Sequence, residues 1–210
     1  MNQLLDNKNF EGVRKALAEN PALANEGIPY DNKNITKAHP LHRICDRVFS
    51  GKYTDDEGIE MAKIFLEAGA DINGFGFREK KDTPLIAASS LNAEKLAIFY
   101  IDRGANIHHA GTHGGTALHW ASWTGRDVVV KRLLQENPEI NKRCIDFKGT
   151  ALQWSAHGYK FEDGSKRHHQ LKCARMLVAA GADKNIPNIE GRTPIQFMDE
   201  EDTEFLELLR

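Results

Sequence analysis

One short phrase is written five times along this chain, and a sequence that repeats itself folds as stacked small units rather than around a single core. HPLHRIC begins at His39, TPLIAAS at Thr83, TALHWAS at Thr116, TALQWSA at Thr150 and TPIQFMD at Thr193. The third residue of each is Leu41, Leu85, Leu118, Leu152 and Ile195, so the steps are 44, 33, 34 and 43 residues. A second refrain follows in fixed order: GADIN from Gly69, GANIH from Gly104, NPEIN from Asn137 and GADKN from Gly181.

The residues of each phrase predict a pair of short helices. Thr83 and Thr193 read as N-caps, each followed by proline at the first helical position, where no amide donor is wasted. Gly69, Gly104 and Gly181 suit the left-handed residue that closes a second helix, and Asn137-Pro138 stops the chain at the same place in the third unit. The second helices share apolar columns, Phe65, Tyr100, Leu133 and Leu177 in one, Leu66, Ile101, Leu134 and Val178 in the next, with Ala62, Ala97, Val130 and Ala174 one turn earlier. Such stripes are buried only against neighbouring pairs. VRKALAENP at 13–21 matches VKRLLQENP at 130–138, which makes the N-terminal segment a capping unit with a shortened first helix. The last unit has a polar second helix, DTEFLELLR, preceded by an acidic run from Asp199 to Asp202 that solvates it.

Together the two refrains resemble the ankyrin repeat, whose opening is T-P-L-H-x-A on a period of about 33 residues. The resemblance implies an all-α solenoid of paired antiparallel helices joined by β-hairpin loops, with about six units including the caps. Their expected bounds are 1–35 for the N-terminal cap, 36–73, 74–107, 108–141 and 142–185 for the repeats, and 186–210 for the C-terminal cap. It also implies a non-catalytic scaffold that binds a protein through a groove of hairpin tips and first helices. In that pattern His42 and His119 make hydrogen bonds within and between repeats, and Trp120, Trp154 and Phe197 pack as core. The positions after the A-A pair face the groove, which places Trp123, Thr124 and His157 there. Two readings of Trp123 stand: it awaits a partner, or it lies over its own hairpin. The fingers contribute Phe75, Phe77 and Arg78, then His113, then Arg143 and Phe147. Phe77, His113, Trp123, Phe147 and His157 are expected to form one patch, of the aromatic kind that interface hot spots favour.

Two units break the period. The first motif-bearing unit and the fourth carry 9 and 10 extra residues between their helices, at about 47–58 and 159–169. Their Gly, Asp and Lys content reads as loop. Tyr53, Tyr159, Phe161 and Arg167 are the side chains these loops would offer a partner, a weaker expectation because surface insertions are thermodynamically cheap.

Other functions find little footing. Lys plus Arg number 28 against 30 for Asp plus Glu, so no overall field draws in nucleic acid or an anionic membrane. The run Lys166, Arg167, His168, His169, Lys172 and Arg175 is the one basic cluster, and as a loop it reads as a solvated face. His169 and Cys173 have helical ligand spacing, but zinc sites commonly use four ligands, and Cys173 aligns with the apolar Val129. The three cysteines have no CxxC pairing and point to a reducing compartment. No stretch approaches 18 apolar residues and no leader pattern opens the chain, so the expectation is a cytoplasmic protein. No phosphate loop, HExxH or GxSxG occurs, so no enzyme, cofactor or metal is expected. The reading is of a monomer that binds an as yet unidentified protein, with inhibitor, immunity and host-directed roles as variants of one mode. A metal or nucleic acid at the His/Lys/Arg-rich insertion is the remaining alternative.

Overall fold

In the computed structural model, which describes residues 1–30, 36–75, 82–161 and 164–210, the repeated phrases open helices. The chain divides into two compact units, Met1–Asn106 and Ile107–Arg210. The first holds α1 (Asn2–Asp6), α2 (Phe10–Glu19), a two-stranded antiparallel ribbon of β1 (Ile28–Pro29) and β2 (Lys37–Ala38), α3 (Pro40–Phe49), α4 (Asp55–Glu67), α5 (Pro84–Ser90) and α6 (Glu94–Asp102). The second holds α7 (Ala117–Trp123), α8 (Asp127–Leu134), α9 (Ala151–Phe161), α10 (Arg167–Ala179), a 3-10 turn at Pro194–Phe197 and α11 (Thr203–Leu209). The protein is mostly helical. The β1–β2 ribbon carries all the strand pairing among the described residues, so the later hairpins are turns rather than ladders.

The caps work as the threonines require. Thr83 accepts from the Ile86 amide at 3.3 Å, and Thr193 forms a reciprocal box with Gln196, although the helix it opens is a single 3-10 turn. His39 stands in for threonine, its Nδ1 accepting from the Leu41 amide at 3.3 Å. Gly69, Gly104 and Gly181 have φ of 89°, 80° and 94°, and Asn137 takes the same left-handed role at 50°. The asparagines of the second refrain link successive hairpins. Asn25 Oδ1 accepts from the Asp71 amide at 2.6 Å, Asn73 from Asn106 at 2.8 Å, and Asn141 from Asp183 at 2.8 Å.

In the first unit Phe65, Tyr100, Ala62 and Ala97 are fully buried, and in the second so are Leu133, Leu177, Val130 and Ala174. The column of Leu66, Leu134 and Val178 is only half-buried. Arg47 ties α3 to α1 from inside the first unit, its Nη2 lying 2.6 Å from Asn2 Oδ1 and 2.9 Å from Asp6 Oδ1.

Among the described residues the two insertions mostly lengthen the flanking helices rather than adding only the expected loop. Measured against α5 and α6, α3 and α4 are longer by three and four residues, and the connection gains two more. The α9–α10 pair likewise extends α7 and α8 by four and five residues. The cause in the first unit is local. Thr54 and Glu57 close a capping box at the start of α4, and Tyr53 inserts beneath α1 with its hydroxyl donating to the Leu5 carbonyl at 2.6 Å. Tyr53 is therefore buried, and its burial pushes the phenol up to about 12. Tyr159 is buried too, its ring 4.9 Å from Phe205 of α11. Neither tyrosine is available to a partner, because Tyr53 is buried against α1 and Tyr159 against α11.

Candidate functional site

Trp120 and Trp123 sit three residues apart on α7, so they share one face of that helix. Trp154 and His157 hold the same spacing on α9. The two helices bring all three tryptophans of the chain into one cluster. Trp120 and Trp123 have ring centroids 5.3 Å apart, and Trp154 stands edge-on to both, at 5.1 Å and 78° from Trp120 and 5.6 Å and 89° from Trp123. His157 meets Trp123 at 6.1 Å and Phe161 at 4.7 Å. These are the edge-to-face distances at which aromatic quadrupoles attract.

A glycine makes the approach possible. A Cβ on Gly158 would lie 2.1 Å from the Trp123 carbonyl oxygen and 2.8 Å from its Cδ1, so the end of α7 packs directly on the backbone of α9. The same carbonyl accepts from Gln170 Nε2 at 2.9 Å, which fixes it to α10 as well. The indole nitrogens of Trp120 and Trp123 are buried without a hydrogen-bond partner among the described residues.

In α7 and α9 the fourth position of the phrase holds the finger beneath it. His119 Nδ1 accepts from the Thr116 amide at 3.2 Å, and its Nε2 donates to the Lys142 carbonyl at 3.1 Å. Burial pushes this imidazole down to about 4, against the opposing pull of the Lys142 carbonyl. Gln153 repeats the arrangement one unit later, Oε1 accepting from Thr150 N at 3.1 Å and Nε2 donating to the Arg192 carbonyl at 2.8 Å. Histidine and glutamine are interchangeable here because each offers one acceptor and one donor at matching reach.

The fingers complete the site. Phe147 is half exposed, its ring 6.4 Å from Trp154 and 5.2 Å from His113. His113 itself sits at a φ of 59°, with Nδ1 2.8 Å from Asp146 Oδ2. The following finger is tied on through Ile189, whose amide donates to the Phe147 carbonyl at 2.8 Å, leaving the side chain 62% exposed. Between these parts lies an open depression of about 290 Å³, walled by Trp123, Trp154, Phe147, Phe197 and Ile189, with His157, Gln153, Asn188 and Glu190 also lining it. Phe161 is exposed at the His157 edge.

The geometry brings four of the five expected patch residues together: His113, Trp123, Phe147 and His157. The fifth, Phe77, and Arg78 lie outside the described residues, and Phe75 belongs to the first unit. Trp120 and Phe197, expected as core, are only half-buried, Phe197 because it lines the open depression; Trp154 is the core member at 6% exposure. Arg143 is not free to reach outward, since its Nε donates to the Lys148 carbonyl and its Nη2 to the Pro187 carbonyl, both at 2.8 Å. Thr124 turns its hydroxyl back to the Trp120 carbonyl at 2.8 Å. Arg167 lies over the Tyr159 ring at 5.1 Å, and His169 pairs with Asp127 at 2.8 Å. The sequence reading missed Ile189, Asn188 and Glu190. The only signal for them was their place in a finger next to the one carrying Phe147.

Residues 53–144 match the family model described as ankyrin repeats, in three copies. Over 146 residues the chain is 24% identical to the putative palmitoyltransferase ZDHHC13 of Danio rerio, an alignment that covers 69% of this chain and 20% of that protein. The chain thus spans about a fifth of the length of that relative.

Proposed function

We propose that this chain, whose residues 53–144 match ankyrin repeats, is a non-catalytic scaffold that holds a protein partner against the aromatic depression of its second unit. Ankyrin repeats are in general protein-interaction modules. The observation that carries the finer reading is the depression itself, where Trp123, Phe147 and Phe197 stand partly open beside the exposed Ile189. A contiguous apolar surface of this kind is what a soluble chain presents to a partner, whereas single exposed apolar residues mean little. Recognition follows from preorganisation. The walls are fixed by the Gly158 contact and by the His119 and Gln153 hydrogen bonds, so a partner finds a surface with little ordering entropy left to lose.

The arrangement into six stacked units with the bounds given above is part of this proposal, as is a cytoplasmic location, which the buried Cys45, Cys144 and Cys173, none of them in a disulfide, suit. No helix among the described residues is long and apolar enough to cross a membrane. The transferase activity in the relative's name belongs to that protein.

The test is capture from native lysate by the parent and by a Phe147→Ala, Ile189→Ser double variant, both verified as folded by circular dichroism. The proposal expects at least one protein retained by the parent and lost, or reduced tenfold or more, on the variant. Equal retention on both would remove the depression as the docking site.

A further inference from the structure

We infer that the aromatic depression accepts a cationic side chain, lysine or arginine, from a basic segment of its partner; this rests on the depression being the docking face. Three observations carry it. Its walls are largely aromatic side chains, with Trp123 and Trp154 perpendicular at 5.6 Å, and aromatic rings attract a desolvated cation through their quadrupole. Among the described residues that line it, the ionised group is a carboxylate, Glu190, and no lysine or arginine is present.

The second observation is that the chain already lays a cation against the rim. The Arg192 guanidinium lies over the Phe197 ring at 5.4 Å, and its Nη2 pairs with Glu190 Oε2 at 2.5 Å. Aromatic face plus carboxylate is thus a working cation seat, and Glu190 Oε1 has no hydrogen bond among the described residues. Both side chains of this pair are more than half exposed, so the pair is weak and exchangeable.

The third observation is the charge of the surrounding segment. Residues 186–210, which supply the Asn188, Ile189, Glu190 and Phe197 side of the depression, carry seven carboxylates against two arginines. Glu200 and Glu201 are exposed and make no ion pair among the described residues. A basic segment that places one cation in the depression would run its further lysines along this strip. The field speeds encounter, and the rings supply short-range discrimination.

The test uses the full chain and a capped heptapeptide of alternating alanine and lysine, beside the same peptide with norleucine in place of the central lysine. Binding is read by intrinsic tryptophan fluorescence, since all three tryptophans belong to the cluster. The lysine peptide is expected to bind and the norleucine peptide to bind about tenfold more weakly. Phe147→Ala and Glu190→Gln, both surface changes that leave the fold in place, should each weaken the lysine peptide about tenfold. Arg192→Gln removes the internal competitor and should tighten it severalfold, whereas Arg210→Gln, with the same charge change elsewhere, should not. Four results would overturn the inference: no binding of the lysine peptide, equal binding of both peptides, indifference to Phe147→Ala, or equal effects of the two arginine variants. A partner that docks through a neutral or acidic segment and still loses affinity with Phe147→Ala would refute the cation while keeping the docking face. A partner indifferent to Phe147→Ala would refute both.

Discussion

His119 shows how one side chain can be both legible and consequential. Its position in the phrase marked it as a hydrogen-bonding residue, and it bridges Thr116 to the Lys142 carbonyl from a fully buried site. With its folded-state value lowered to about 4 against an ordinary 6.5, the unfolded chain binds more protons throughout that interval. Stability therefore rises with pH across the window, is complete above about 6.5, and is lost as pH falls toward 4. The loss attributable to this group is on the order of 2–3 kcal/mol. His119→Gln, which copies the glutamine used at Gln153, should flatten the second unit's urea midpoint between pH 4 and 7; an unchanged slope would contradict the assignment. Gly158 carries the opposite lesson. Gly158→Ala forces a methyl into the Trp123 carbonyl and should cost about 3 kcal/mol, a sizeable overpacking penalty. A urea titration of the variant measures this, and a change under about 0.5 kcal/mol would mean that α7 and α9 separate at no cost. Nothing in the sequence marked Gly158, because the clash is with a residue 35 positions away.

At the scale of the element, the helix starts, the glycine stops and the buried columns were readable from residue chemistry, since each depends on neighbours within one or two turns. The insertions were not. Gly51, Lys52 and Asp55 look like loop, yet the Thr54–Glu57 box was in the sequence and, read as a helix start, would have placed α4 correctly. What could not be read was that Tyr53 is buried against α1 and bonds to the Leu5 carbonyl, which is a tertiary fact. Thr54→Ala should lower the stability of the first unit by about 1 kcal/mol. Tyr53→Phe, which removes the bond to the Leu5 carbonyl but keeps the ring, should cost about as much. Chemical denaturation of the two variants checks both values, and neutrality would return 47–58 to the status of a dispensable loop.

For the whole molecule, the repeated phrase fixed the kind of protein, whereas the site needed coordinates. Trp123, Phe147, His113 and His157 were named from the pattern, but the depression also depends on Phe197 and Ile189, whose exposure follows from how the last finger folds onto Phe147. The same finger supplies the Glu190–Arg192 pair beside the depression. We place the partner in this depression and not elsewhere on the second unit. The most direct measurement is site-specific photocrosslinking, with the photoreactive residue at Ile189 in one protein and at Val128 in another, both exposed apolar positions of the second unit. A crosslinked partner is expected from position 189 and none from position 128. A partner trapped only from 128, or equally from both, would contradict this placement.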